Sequence, residues 1–262
     1  MNYLFTICGR AGSKGLANKN LSNFVGVPLA YYTLAAIKLT ADELIAQGHH
    51  ADFALSTDSP ELTRLVVDQD ALPVYSIVRS PELSGDRVAK VSVINDLMLQ
   101  AQEHFGVTYD FVIDLDLTAP LRTKENVLDA IRIKEGRRDT DVVYSVAPAR
   151  KNPYFNMAQE RDGLYEKVIR ANFISRQETP PVYDMNASIY VYEPRALMHK
   201  EPTDFFNSNA DAVIMRDTGI LDIDCKEDKD MMEVLAEHYF FLQDEGMKEI
   251  RKAAEQIRKI EK

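Results

Sequence analysis

Tryptophan is absent from this chain of 262 residues, and cysteine occurs only twice, at Cys8 and Cys225. Two cysteines so far apart give neither a disulfide framework nor the short spacing of a zinc site, and they suit a reducing compartment. Cys8 closes an apolar run and reads as a small core residue rather than a nucleophile. No apolar stretch approaches the roughly 20 residues of a membrane-spanning helix. Met1-Asn2-Tyr3 has neither the basic start nor the cleavage site of a secretory leader. A cytoplasmic protein is the expectation. Positive charge is also scarce: 31 Lys and Arg against 41 Asp and Glu leave a net charge of −10. That balance argues against a general nucleic-acid or anionic-membrane binder. The five histidines, His49, His50, His104, His199 and His238, show no metal-ligand spacing. With no Ser/His/Asp or Cys/His arrangement either, covalent catalysis is not expected.

What remains is an ordinary globular composition, 45% hydrophobic and 27% charged. Short apolar runs at Tyr3–Ile7, Phe53–Thr57, Pro73–Val78, Phe111–Ile113 and Val142–Val146 read as strands. Helical patterns separate them: Ala30–Leu39, a segment capped by Ser59-Pro60, a stripe of Val91, Ile94, Met98, Ala101 and Phe105, and Lys124–Lys134. This alternation predicts an α/β fold with a mostly parallel sheet and helices on both faces. The rhythm breaks over about 147–194, where Asn152-Pro153, Asp162-Gly163 and Pro180-Pro181 punctuate short strand-like pieces. We read it as an inserted β-rich lobe within a single domain, with Ala187–Tyr192 as its strongest strand. Helices then close the chain from about 227 to 242 and 247 to 260.

The stretch with the most chemistry is Cys8-Gly9-Arg10-Ala11-Gly12-Ser13-Lys14-Gly15, continuing to Lys19-Asn20. It leaves the first strand, carries three glycines that free the backbone to turn, and adds three cations. Bare amides and cations at that position suit a polyphosphate. The spacing is neither G-x-x-x-x-G-K-[ST] nor G-x-G-x-x-G. A second chemical signal is Asp222-Ile223-Asp224: on an extended backbone both carboxylates share a face and can converge on one hard divalent cation.

These residues together resemble the acylneuraminate cytidylyltransferase (CMP-sialic acid synthetase) family. Gly9 to Leu16 with Lys19-Asn20 resembles its opening A-R-x-x-S-K-G-L-P-x-K-N, with Ala17 in place of proline. Arg79-Ser80-Pro81-Glu82-Leu83-Ser84-Gly85-Asp86 resembles R-P-x-E-L-A-x-D. Leu115 to Thr123 resembles L-Q-P-T-S-P-L-R-T, with Asp116 in place of the glutamine and Leu117 in place of the proline. Arg176-Gln177 and Asn186-Ala187-Ser188-Ile189-Tyr190 resemble R-Q-x-x-P and N-G-A-I-Y, and Leu221 to Asp228 resembles I-D-I-D-T-x-x-D.

The resemblance spans nearly the whole chain and implies a nucleotide-diphospho-sugar transferase type of sheet that moves CMP from CTP to a sialic-type 2-keto-3-deoxy acid sugar. Legionaminate, pseudaminate and 3-deoxy-octulosonate are alternative acceptors, and a nucleotide-binding regulator without turnover is an alternative class. It implies catalytic roles for Arg10, Lys14, Asp222 and Asp224, with magnesium on the two aspartates. It implies nucleotide contacts from Arg10, Gly12, Ser13, Lys14, Asn20, Arg79, Asp116 and Thr118, and sugar contacts from Arg176, Gln177 and Asn186. Asp116 could accept from the cytosine amine or lean toward the metal. A homodimer is expected through the lobe, whose aromatics are Tyr154, Phe155, Phe173, Tyr183 and Tyr190.

Overall fold

A computed structural model of the chain describes residues 1–12, 15–85, 87–207, 209–218 and 222–259. The strands are β1 (Asn2–Cys8), β2 (Asn23–Phe24), β3 (Val27–Pro28), β4 (His50–Thr57), β5 (Val74–Val78), β6 (Phe111–Leu115), β7 (Val142–Pro148), β8 (Ala158–Arg161), β9 (Leu164–Lys167), β10 (Tyr183–Tyr192) and β11 (Ala210–Ile214). The helices are α1 (Leu29–Ala46), α2 (Pro60–Val67), α3 (Lys90–Phe105), α4 (Lys124–Gly136), α5 (Pro194–His199), α6 (Lys226–His238) and α7 (Glu245–Gln256).

Seven strands form one sheet in the order β11-β7-β10-β6-β1-β4-β5. Its ladders are parallel except those of β10, which runs antiparallel to both β6 and β7. The sheet is covered on both faces, so its strands are apolar on both sides rather than alternating. Along β1, Tyr3, Phe5 and Ile7 enter the core under α1, α4 and α7, while Leu4 enters a second core with Ile94 and Met98 of α3. The mostly parallel α/β architecture expected from the sequence is what forms. No helix among the described residues is long and apolar enough to cross a membrane.

Local signals fix the element starts. The Ser59 hydroxyl accepts from the Leu62 amide and Pro60 opens α2; Thr123 and Asn126 form a reciprocal capping box on α4. Helix α1 runs well past the expected Leu39, because Thr40, Ala41 and Leu44 are still core-facing. The larger difference is β10. Its apolar run belongs to the central sheet and not to a separate lobe; Ile189 and Val191 are fully buried there. What projects is the β8–β9 hairpin and the segment after it.

The register of β10 against β7 shifts between Met185 and Tyr190. Ala187 stands in that bulge at φ 53°, a left-handed conformation that a side chain disfavours. The position thus keeps a backbone shape that suits glycine, although alanine occupies it. Tyr190 stacks on Tyr192 within the sheet and Tyr154 packs edge-on to Phe173. Three of the five lobe aromatics are therefore spent internally.

Candidate active site

In an open parallel sheet, ligands bind beyond the carboxyl ends of the strands, where neighbouring connections diverge. Here β1 lies between β4 and β6, and the loops leaving β1, β5 and β6 meet at that edge. They enclose two adjoining cavities. The larger, of about 420 Å³, is lined by the glycine loop (Gly9, Arg10, Gly15, Lys19, Asn20) on one side and Asp116, Thr118, Asp222 and Asp224 on the other. The smaller, of about 260 Å³, has apolar walls from Leu83, Val88 and Val93, with Arg79 and Lys90 beside them. Cys8, Arg10 and Asp116 line both. Gly12 faces a small hollow that also adjoins Arg10 and Asn20.

The glycine loop is held from three directions. The Gly9 amide donates to the Ser56 carbonyl and the Ala11 amide to the Asp58 carboxylate at 2.6 Å. Two of the amides expected to be bare are therefore taken. The Asn20 side chain reaches back to the Arg10 carbonyl at 3.4 Å. Gly12 takes φ +74°, which its lack of a Cβ permits. Gly15 has a different reason to be glycine: a Cβ there would stand 2.2 Å from the Asp224 carbonyl oxygen. Ser13 and Lys14, both expected on the phosphates, lie outside the described residues.

Asp222 and Asp224 come from an irregular segment rather than a strand. The Ile223 amide donates to the Thr118 carbonyl at 3.0 Å, and its side chain is fully buried in the core. That anchor turns both flanking carboxylates to the cleft. Burial, then the charges of Asp224 and Asp116, raise the Asp222 carboxyl above its usual range, with Lys19 opposing. Lys19 pairs with Asp224 at 3.1 Å. Asp228, in the first turn of α6, is spent on the amides of Asp224 and Cys225 at the start of that helix. Among the described residues no cluster of three His, Cys, Asp or Glu side chains is gathered for a metal. Two under-neutralised carboxylates do fit magnesium, which keeps several waters and takes phosphate oxygens as its other ligands.

Asp116 is the most heavily tied group of the site. Its Oδ1 accepts from the Thr118 amide at 2.8 Å and the Thr118 hydroxyl at 2.7 Å. Its Oδ2 accepts from Lys90 Nζ at 2.7 Å, and the same ammonium pairs with the fully buried Asp114 at 2.7 Å. Burial works against the Asp116 charge, but Lys90 and the Thr118 hydrogen bonds outweigh it and hold the carboxyl well below the usual range. For Lys90 the two aspartates likewise outweigh burial and hold its pKa well above the ordinary value. Beneath this pair lies Arg122, 1% exposed, donating to the Ser188 carbonyl at 2.6 Å, to Thr33 Oγ1 and to the Asp116 carbonyl. Burial pushes its guanidinium down to about 10.

The remaining expected contacts divide. Arg79 does line the smaller cavity, with its Nε and Nη2 fastened to Ser56 Oγ and the Ser56 carbonyl. Asn186 is buried and engaged with Ser145, the Ser188 amide and Met215 Sδ. Arg176 donates to the Ala149 carbonyl and borders a separate cavity of about 350 Å³; Gln177 is exposed nearby. That cavity shares no lining residue with the two above. Lys90 and Arg122 were not singled out from the sequence as site residues. A lysine opening a helix and an arginine inside a motif have no distinguishing local pattern; only the tertiary fold brings Lys90 to Asp114 and Asp116, and Arg122 to Thr33 and Ser188.

A family model described as cytidylyltransferase matches residues 4–257. The chain belongs to the cytidylyltransferase family. Among relatives of this cytidylyltransferase is the CMP-N,N'-diacetyllegionaminic acid synthase of Campylobacter jejuni, 32% identical over 88% of this chain and 94% of that protein. The N-acylneuraminate cytidylyltransferase of Streptococcus agalactiae is 28% identical over 92% of this chain and 54% of that protein. A solved CMP:2-keto-3-deoxy-manno-octonic acid synthetase complexed with CTP shares the fold at a TM-score of 0.61, with 14% identity, 90% of this chain and 98% of that one covered.

Proposed function

We propose that this cytidylyltransferase transfers CMP from CTP to a nonulosonic acid of the legionaminate or N-acylneuraminate kind, releasing pyrophosphate. The observation that carries the reading is the cleft itself: Arg10, Lys19, Asp222 and Asp224 line one cavity of about 420 Å³, with a narrower apolar-walled cavity opening beside it. Cations on one wall suit a triphosphate, and a carboxylate pair on the other suits the divalent cation that accompanies it. The legionaminate relative is the more similar of the two named above, which favours that acceptor.

In this reading Arg10, Lys19 and Lys14 hold the triphosphate so that the bond to the β-phosphate lies opposite the incoming oxygen. The sugar's anomeric hydroxyl gives its proton to solvent as its oxygen bonds to the α-phosphorus, and the bridging bond to the β-phosphate breaks, so that pyrophosphate leaves with that electron pair. Negative charge grows on the phosphoryl oxygens in flight, where fixed cations are worth most. Asp222 and Asp224 would hold magnesium, which when bound supplies charge neutralisation and a lower pKa for the attacking hydroxyl. The apolar walls of the smaller cavity admit a flat base and exclude water from it.

A homodimer is part of the proposal. Leu164, Tyr165 and Ile174 project from the hairpin region 75%, 77% and 88% exposed, an apolar surface suited to a second copy. The reading also implies a cytoplasmic protein, where CTP is available. Pyrophosphate release from CTP with a panel of legionaminate, N-acetylneuraminate and pseudaminate tests it. Turnover with the first two is expected; no release with any acid sugar would support the non-catalytic regulator instead.

A further inference from the structure

We propose that Asp116, positioned by Lys90, accepts a hydrogen bond from the ribose 2′-hydroxyl of the nucleotide and so selects a ribonucleotide over its 2′-deoxy counterpart. This rests on the cytidylyl-transfer reading above. A nucleoside triphosphate is a linear object: base, ribose, then phosphates. If the phosphates occupy the cleft beside Arg10, Lys19, Asp222 and Asp224, the narrower cavity between Leu83, Val88 and Val93 takes the base. The ribose then lies where the two cavities join, and that passage is lined by the residues common to both, Cys8, Arg10 and Asp116.

Of these three, only one suits a diol. A ribose donates two O–H groups; a guanidinium accepts nothing, and a thiol accepts weakly. Burial pushes the Cys8 thiol up, so it remains neutral. An ionised carboxylate offers about four acceptor positions. On Asp116, Thr118 fills two at Oδ1 and Lys90 fills one at Oδ2, which leaves a position on Oδ2 for a hydroxyl. The side chain is 21% exposed, so that position is reachable. Lys90 acts through Asp116 and not on the ribose. Bridging Asp116 to the buried Asp114, it fixes the carboxylate's rotamer and charge, and is a positioning residue.

The test compares CMP with 2′-deoxy-CMP binding by calorimetry, and kcat/KM for CTP, 2′-deoxy-CTP and UTP. The wild type should prefer the ribonucleotide by at least about tenfold, the discrimination of one hydrogen bond to a charged acceptor. Asp116→Ala should bring that ratio to within about threefold of unity and leave the CTP/UTP ratio unchanged; Asp116→Asn, which preserves volume if the alanine variant fails to fold, should give an intermediate ratio. Lys90→Met should lower the ribose ratio as well, and Lys90→Arg should restore most of it. A ribose preference that survives in folded Asp116 variants overturns the proposal. So does a shift confined to the CTP/UTP ratio, which would assign Asp116 to the base. A wild type that binds no cytidine nucleotide overturns both this inference and the reading beneath it, whereas normal CTP turnover with an unaltered ribose ratio overturns this inference alone.

Discussion

Gly15→Ala adds one methyl group to the chain, and the site predicts where it goes. The backbone at Gly15 is not left-handed, so alanine is conformationally allowed; the obstacle is the Asp224 carbonyl oxygen at 2.2 Å from the new Cβ. An ordinary contact begins at 3.4 Å, so one of the two segments must yield by about 1.2 Å. The atom in the way is backbone and cannot rotate aside. Displacement separates the glycine loop from the segment bearing Asp222 and Asp224, and a misplacement of about 1 Å at a reacting centre lowers rate on the order of 100-fold. Folding should change less, by about 1–3 kcal/mol for a local overpacking. The assay is pyrophosphate release against CTP at saturating acid sugar, beside a thermal melt. Gly136→Ala, where nothing lies within 4 Å of the added Cβ, is the control and should leave turnover unchanged. A Gly15→Ala enzyme with kcat/KM within about twofold of wild type would refute the close packing of loop on carboxylate segment.

Arg122→Leu removes the buried donor shared by the Ser188 carbonyl, the Asp116 carbonyl and Thr33 Oγ1; the Asp116 amide still serves the first and the Thr33 hydroxyl the second, so the loss should be about 1–3 kcal/mol, a Tm fall of about 6 °C, with Arg122→Lys recovering under half of it; a fall below about 2 °C would show that the guanidinium is dispensable. Ala187→Gly relieves a left-handed alanine and should raise stability by about 1 kcal/mol in urea melts. Asp116 contributes stability that is present above the unfolded carboxyl pKa of about 4 and lost as pH falls through its lower folded value, while Lys90 keeps its own contribution up to about pH 10 and beyond. Asp116→Asn should therefore be less stable than wild type by about 1–3 kcal/mol near neutral pH, and the gap should narrow progressively as pH falls from about 4 toward the lower folded value; a gap that does not narrow over that range points away from the ion pair. Light scattering should return a dimer mass for the wild type and a smaller mass for Leu164→Glu/Tyr165→Glu.

The strands, the major helices and the parallel sheet were legible because buried strands and amphipathic helices write their periods into the sequence. The glycine loop and the Asp222/Asp224 pair were legible because each needs a contiguous run of chemically distinctive residues. The placement of β10 was not. Its pattern of Ile189, Tyr190 and Val191 announces a strand, but pairing between segments distant in the chain leaves no local trace. The same limit hid Lys90, whose partners Asp114 and Asp116 lie on a different element. It also led to Asn186 being read as a sugar contact, although its amide is consumed by Ser145, Ser188 and Met215. Arg176 was legible as a motif residue, yet its cavity stands apart from the nucleotide cleft.

Because β10 stands between β6 and β7, the order in which the molecule can be completed differs from the order in which it is synthesised. Strand β7 has no ladder to β6 until residues 183–192 emerge, and β11 follows later still. The carboxylate that pairs with Lys19 is 205 positions downstream of it. A nascent chain therefore carries its glycine loop long before it gains the carboxylates that line the same cleft. Stabilisation by nucleotide accrues only to a state that binds it. Cellular CTP thus reinforces the finished fold and gives nothing to a stalled or truncated one, leaving such fragments with an open sheet edge to proteolysis and aggregation.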